Sequence, residues 1–285
     1  MKLKLSYVKP VFERLIPVVS EAYSPDGVNI QGTKFYEMEH NAIAAPTLSF
    51  DYELDNGLGL KANLFYLNSE QGFSLKEDAV NDDLYVYFNR GDGDEIDWAV
   101  DGTFRAEDEL DVLVADIEAY RKIGNVEKFL TIGGGLRYVN MERRFHATES
   151  SDPDRFVKAR HKIRGVGPKL SLGGKFPLYR DIGFYINTSG SLVAGNEEQK
   201  FTSDDGQGKV DDTLKIMPIF DAELGVEWTP DINFAESLTV RAGLEGQSWH
   251  GGGGWDFSNG NGGSPWFDEF SWGAIGGHLS AEVGL

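Results

Sequence analysis

Leu214-Lys215-Ile216-Met217-Pro218-Ile219-Phe220-Asp221-Ala222-Glu223-Leu224-Gly225-Val226-Glu227-Trp228 is the stretch whose reading decides the fold. Every second residue, from Leu214 through Ile216, Pro218, Phe220, Ala222, Leu224 and Val226 to Trp228, is apolar. Lys215, Met217, Ile219, Asp221, Glu223, Gly225 and Glu227 fall between them. A period of two sets one group on each face of a β-strand. At roughly 3.3 Å per residue and a tilt near 40°, the run rises about 37 Å, enough to cross a bilayer core. A soluble sandwich seldom needs such a strand. A wall between lipid and a wet lumen does.

Bulk composition is consistent with that wall. The chain has 285 residues, 40% of them hydrophobic, with 35 glycines and no cysteine. Its mean hydropathy of -0.35 resembles that of a soluble protein, but a barrel hides its apolar surface in alternation. No run approaches the roughly 18 apolar residues of a membrane helix. Without cysteine there is no disulfide, thiolate metal site or cysteine nucleophile. A net charge of -19 and pI near 4.6 argue against a nucleic-acid partner. Lys2 and Lys4 alternate with Leu3, Leu5 and Tyr7 and form no signal-peptide core. The expectation is a mature, exported chain, one domain over residues 1–285.

Read backwards from the end, the alternation recurs. Ile275, Gly277, Leu279, Ala281, Val283 and Leu285 make one face of a last strand. Leu238–Gln247, Ile182–Ala194, Lys162–Lys175 and Leu130–Tyr138 read the same way. Ile96–Arg121 reads as one long strand with a phase slip at Ala106–Leu110, which a bulge would explain. Leu48–Leu54 and Leu58–Leu64 flank the turn Asp55-Asn56-Gly57, and Lys2–Val8 supplies the first strand. The expected fold is an all-β, antiparallel, up-and-down transmembrane barrel of ten strands, with twelve as the alternative. Short connections at Asp55–Gly57, Ile123–Val126, Pro177–Asp181 and Thr229–Ser237 alternate with long polar ones at Pro10–Asn41, Asn68–Glu95, Ala147–Ala159, Asn196–Asp212 and His250–Pro265. The short ones are read as periplasmic and the long ones as extracellular. Pro168 and Pro218 lack an N–H inside strands and are read as bulges. Phe12, Leu15, Ile16, Val19 and Tyr23 have helical spacing and offer a partial plug, although a loop is the simpler reading.

Several stretches taken in order resemble a known family. They are Tyr7-Val8-Lys9-Pro10, Gly134-Gly135-Leu136-Arg137-Tyr138, Gly165-Val166-Gly167-Pro168-Lys169, Asp221-Ala222-Glu223-Leu224-Gly225 and Arg241-Ala242-Gly243-Leu244-Glu245-Gly246-Gln247-Ser248-Trp249. Together they resemble the Legionella major outer membrane protein-like family of pore-forming barrels. Leu285 departs from the usual aromatic last residue. The resemblance implies an outer-membrane location, lipid around the wall, passive passage of small hydrophilic solutes or ions, and no catalytic residues.

The interior face carries the candidate site. Expected lumen-lining residues are Asp51, Lys61, Asp116, Glu118, Arg137, Lys169, Lys215, Asp221, Glu223, Glu227, Arg241, Glu245 and Glu282. The turns place Asp51 opposite Lys61, Glu223 beside Arg241, and Glu282 near Lys2 or Lys4. Arg137 and Lys169 are read against Asp116, Glu118, Glu227 and Glu245. Such charges either filter ions or brace a narrow interior. Eight strands leave little space and open porins use 16 to 18, so both readings stand. The alternative function is a plugged structural or surface-interaction barrel with acidic, cation-binding loops.

Other chemistry is weaker. His278 and Ser280 share a face, but no orienting Asn accompanies them. The five histidines show no zinc spacing. Asp82-Asp83 and Asp92-Gly93-Asp94-Glu95 can collect divalent cations but lack the EF-hand pattern. Arg90-Gly91-Asp92 spells an adhesion tripeptide of little weight in a Gly/Asp-rich loop. Gly251–Gly254 and Asn259–Gly263 lack the Lys and Ser/Thr of a phosphate loop. Trp249, Trp255, Trp266, Phe267, Phe270 and Trp272 are expected to supply an outer aromatic girdle. The chain is read as a non-enzyme without cofactor, and the reading admits a homo-oligomer.

Overall fold

The computed structural model describes residues 1–12, 17–23, 30–37, 39–54, 56–76, 82–86, 96–98, 103–124, 128–150, 152, 154–203, 206–230, 237–251 and 271–284. Its strands, in chain order, are β1 (Lys2–Phe12), β2 (Pro17–Tyr23), β3 (Ile30–Glu37), β4 (Ile43–Glu53), β5 (Leu58–Lys76), β6 (Asp82–Val86) and β7 (Ile96–Trp98). They continue with β8 (Thr103–Gly124), β9 (Phe129–Glu149), β10 (Phe156–Tyr179), β11 (Ile182–Ser203), β12 (Gly206–Trp228), β13 (Ser237–Trp249) and β14 (Trp272–Gly284). Ten of these close an antiparallel barrel in the order β1-β14-β13-β12-β11-β10-β9-β8-β5-β4. The other four form a second sheet, β3-β2-β6-β7.

Alternation sorts the side chains across the barrel wall. Leu170 is 72% exposed and Phe220 54%, whereas Lys169, next to Leu170 on β10, points inward and is 7% exposed. Leu3, Leu60, Leu136, Leu224 and Leu279 share the outward face. An apolar exterior around a polar interior is stable only where the exterior meets hydrocarbon. The exterior therefore faces membrane lipid.

The wall is uneven in height. Strands β8 to β12 run 21 to 24 residues, against 11 for β1 and β4 and 13 for β13 and β14. The reading of Ala147–Ala159 and Asn196–Asp212 as long loops is therefore corrected. β9 reaches Glu149 before β10 starts at Phe156, and β11 reaches Ser203 before β12 starts at Gly206. Above the lipid the outward face turns charged, as at Lys158, Arg160 and Lys162, while Val157, Ala159 and Ile163 are buried inside, so the apolar-outward pattern ceases although the hydrogen-bonded ladder continues. The loop reading of Asn68–Glu95 is corrected likewise, because β5 continues to Lys76 and β6 lies within that stretch.

Three further expectations are corrected. Ile96–Arg121 is not one strand. Ile96–Trp98 pairs with β6, and β8 runs from Thr103 without any register shift against β5 or β9. The apparent slip is a change in which face is apolar. Phe104, Ala106, Leu110, Val112 and Val114 are buried inside the barrel, while Ile117 below them points to lipid. Pro168 and Pro218 mark no bulge either. Partners lapse at Gly167 and Pro168 on the β11 side, yet the register resumes unchanged at Lys169↔Ser191. Pro218 pairs with Leu192, and the register is continuous from Ile182↔Trp228 through it to Glu197↔Thr213. Its other neighbour, β13, ends at Trp249, so its missing N–H falls where that ladder stops. Finally, Pro17–Tyr23 is a strand paired with β3 and β6, not a helical plug, and Phe12 belongs to β1.

The hairpin turn at Asn56 and Gly57 uses a positive φ of 77° at Gly57, and Asn56 Oδ1 accepts from the Leu58 N–H at 3.0 Å. Such a turn favours glycine because it lacks a Cβ.

Candidate functional site: the barrel interior

Interior positions stack into three layers. The lowest, near the termini and the short turns, is a charged cavity of about 460 Å³. Asp51, Lys61, Asp116, Glu118, Arg137, Lys169, Asp221, Glu223, Glu227, Arg241, Glu245 and Glu282 all line it. The structure brings these expected residues together. Lys215 lies apart from them, in the highest of the three layers.

Most of these charges are locked in pairs. Arg137 grips Asp116 through Nε and Nη2 at 2.8 and 3.0 Å, and its Nη1 donates to Asp221 Oδ2 at 2.6 Å. Lys169 Nζ lies 2.8 Å from Asp116 and 3.6 Å from Glu118. Arg241 bridges Glu227 at 3.0 Å and Glu282 at 2.8 Å, and Lys175 also pairs with Glu227. Tyr120 OH donates to Asp51 at 2.5 Å.

One expected pairing, Glu223 with Arg241, shifts. Glu223 stands opposite Glu245, and Arg241 opposite Glu227. The slide is an even number of residues, so each side chain keeps its face while changing its partner. Lys4 resolves the clash of carboxylates, with Nζ 3.1 Å from Glu223 and 2.5 Å from Glu245. Asp51↔Lys61 and Lys2↔Glu282 pair in register as expected. Glu282 nevertheless gives its ion pair to Arg241. Lys175 as a partner of Glu227 was missed because Lys175 sits at the turn end of β10, where no pattern marks it.

Glu223, Glu245 and His278 bring potential ligand atoms within 4.8 Å of one another. Lys4 already supplies the positive charge there. Tyr185 OH lies 2.6 Å from His278 Nε2 and occupies that nitrogen. His278 and Ser280 both face inward and are buried.

The middle layer is apolar. Val8 and Phe12 of β1, Ala45 of β4, Phe65 and Leu67 of β5, and Leu110, Val112 and Val114 of β8 form one side of one continuous cluster. Val139 and Met141 of β9, Ile163, Val193, Met217, Ile219, Trp249, Trp272 and Ala274 complete it. Every barrel strand contributes. Leu67, Val112, Val139, Ile219 and Trp249 are 0% exposed. The rings of Trp249 and Trp272 lie 4.8 Å apart. Both were expected in the outer girdle. They point inward because they share parity with Glu245 and His278. Trp255, Trp266, Phe267 and Phe270 lie outside the described residues, as do the Asp92–Glu95 and Arg90–Asp92 motifs, the Asn259–Gly263 run and Leu285.

A second polar layer caps this septum. His40 Nδ1 lies 2.7 Å from Ser69 Oγ and its Nε2 3.3 Å from Asp108 Oδ2, while Arg143 clamps Asp108. Burial opposes ionisation of Asp108, but the charge of Arg143 and hydrogen bonds from His40 and Arg143 hold its carboxyl below the usual range. Lys215 Nζ pairs with Glu197 at 3.1 Å in the same tier. Hydroxyl, imidazole and carboxylate in a line resemble a hydrolytic constellation. Here Phe12 covers His40 at a ring distance of 5.4 Å, and Arg143 stacks on Phe12 at 3.9 Å. Ser69 is 1% exposed, so no substrate carbonyl reaches its Oγ. No sequence spacing links His40, Ser69 and Asp108, and only the closed wall assembles them.

The septum did have a signal. Met217 and Ile219 stand on the otherwise charged face of the 214–228 run, between Lys215 and Asp221.

Comparison with known proteins places this architecture. No curated protein sequence matches the chain. Among solved structures, the outer membrane protease OmpT from Escherichia coli is similar in fold, with a TM-score of 0.52 at 10% identity, over 99% of this chain and 95% of that one. The Pseudomonas putida toluene transporter TodX aligns at a TM-score of 0.31 and 11% identity, over 98% of this chain and 88% of that one. The sequence itself matches the family described as Legionella pneumophila major outer membrane protein precursor over residues 7–251. The chain belongs to that family of outer-membrane β-barrels.

Proposed function

We infer that this protein works as a closed outer-membrane barrel, a structural wall that presents its tall extracellular side, and not as an open diffusion pore. The apolar septum carries the reading. An ion crossing it would shed its hydration among buried methyl and ring groups with no polar substitute, and hydrophobic constrictions of this kind block conduction by dewetting. The charged cavity below then braces a narrow interior through its ion pairs. The reading assigns no catalytic residue.

A second reading, passive passage of small hydrophilic solutes or ions, is favoured by the charged cavity. It requires Phe65, Met217 and the Trp249–Trp272 pair to leave the barrel axis. Purified protein in a planar bilayer separates the two. The closed reading expects silence from the native chain and stepwise conductance after Phe65→Ser, Met217→Ser and Trp249→Ser are combined. Stepwise conductance from the native chain would establish the channel instead. Amide replacement of Asp221, Glu223, Glu227 and Glu245 should then weaken its cation preference.

A further inference from the structure

The outward face of β10 changes chemistry within one residue step. Leu172, Leu170, Pro168 and Val166 are exposed to lipid, and the next positions on the same face are Arg164, Lys162, Arg160 and Lys158. Two residues advance about 6.6 Å along a strand, so Arg164 stands about 5 Å above the apolar edge at the usual tilt. That height lies inside the headgroup layer, which adds roughly 5–7 Å beyond the hydrocarbon on each side. Lys162, Arg160 and Lys158 continue upward in equal steps, to about 20 Å. Only a large headgroup reaches so far.

Strand register widens the band. Arg160 pairs with Arg144 on β9 and with Lys200 on β11, and Lys200 pairs with Lys209 on β12. Like charges directly opposite one another repel, so such a row calls for anions. The protein supplies some of them. Glu142 accepts from Arg160 at 2.9 Å and lies 3.1 Å from Lys162, Glu109, Asp111 and Glu142 together hold Arg144 at 2.6, 2.6 and 3.0 Å, and Glu198 pairs with Lys200 at 2.6 Å. They leave cations over. Lys158 lies above the Phe156 ring at 5.1 Å, and Arg164 Nε donates to Asn140 Oδ1 at 3.0 Å. Neither has a carboxylate partner among the described residues. This excess sits on a chain whose net charge is -19. The basic excess is therefore local to one part of the tall wall.

We propose that the outward face of β9 to β12, just above the lipid band, docks a phosphorylated glycolipid of the outer leaflet. Arg164 and Lys162 meet the phosphates nearest the acyl chains, and Lys158 meets those on the outer part of the headgroup. Arginine offers paired donors to phosphate and lysine a point charge. The acyl chains lie along Val166, Leu170 and Leu172. This surface does not depend on whether the lumen conducts.

The test uses the full barrel in detergent micelles and measures its affinity for a lipopolysaccharide whose lipid A and core sugars are both phosphorylated, for the same lipid stripped of phosphate, and for inorganic phosphate. The expected result is at least tenfold tighter binding of the phosphorylated lipid, weakening as salt rises. Combined Lys158→Gln, Lys162→Gln and Arg164→Gln substitutions should remove at least tenfold of that affinity. Lys9→Gln, on the low side of the barrel, should change nothing. Arg164→Gln alone strands no carboxylate and serves if the triple variant fails to fold, with an expected loss of about threefold or more. Equal affinity for the two lipids, full displacement by millimolar inorganic phosphate, or native-like binding by the variants would each overturn the proposal.

Discussion

Arg137 shows what a single interior residue decides. It satisfies Asp116 and Asp221 together at the centre of the wall, 5% exposed. Arg137→Met should destabilise the barrel by about 3–5 kcal/mol, because buried carboxylates lose their partner. Thermal unfolding in detergent checks this, and Arg137→Lys should recover only part of the loss, since it lacks the bidentate fork. Glu142 makes a pH prediction outside the lipid band. Burial opposes its ionisation, but hydrogen bonds from Arg160 and Lys162 outweigh that and hold its carboxyl at about 2, below the ordinary 4.5. A depressed folded-state value means the stabilisation is complete above about pH 4.5 and fades as pH falls toward 2. The native chain should therefore lose more thermal stability between pH 6 and pH 3 than Glu142→Gln does. Equal losses would remove Glu142 from the account.

At the scale of the element, β10 combines lipid contact, a tight neighbour and an upper half whose outer face alone is solvated. A Cβ on Gly167 would come within 1.8 Å of the Leu192 carbonyl oxygen on β11. Gly167→Ala should force the strands apart and cost about 1–3 kcal/mol, read as a lower unfolding temperature. Further along the strand, Leu170→Arg should cost about 2–4 kcal/mol in a bilayer, where a cation on the lipid face is depth-penalised. Lys158→Arg, on the same face but above the lipid, should cost nothing measurable. Refolding yield into phospholipid vesicles compares the two. Strand β8 shows the limit of pattern reading. Its lower half was legible because Ile117 and Ala119 alternate with Glu118 and Tyr120. Its upper half misled because Leu110, Val112 and Val114 are apolar on the inside, where a wet lumen would place polar groups.

For the whole molecule, the septum matters more than any single pair. It gathers side chains from strands far apart in sequence, such as Val8 and Trp249, into one buried layer. Enlarging a side chain there should leave conductance at zero, whereas thinning the layer should open it. A Val112→Leu variant that stays silent beside a conducting Phe65→Ser/Met217→Ser/Trp249→Ser variant would fit a sealed lumen. Conduction by both, or by neither, would count against the septum as the barrier. The tall wall from β8 to β12 belongs to this scale too, since no single strand reveals that its neighbours are equally long.

The amino-acid sequence by itself determined the all-β class, the antiparallel meander, the ten strands of the barrel though not the second sheet, and which charges point inward. Parity along a strand is a local property, and the 214–228 run carries it in full. Only the tertiary structure decided which charges meet, because a slide of register by an even number preserves faces and exchanges partners. It alone also decided that apolar side chains from every barrel strand meet in one buried cluster. Closure of a wall depends on every strand bringing an apolar side chain to the same height, and height is set by the stagger between strands, which no single segment encodes.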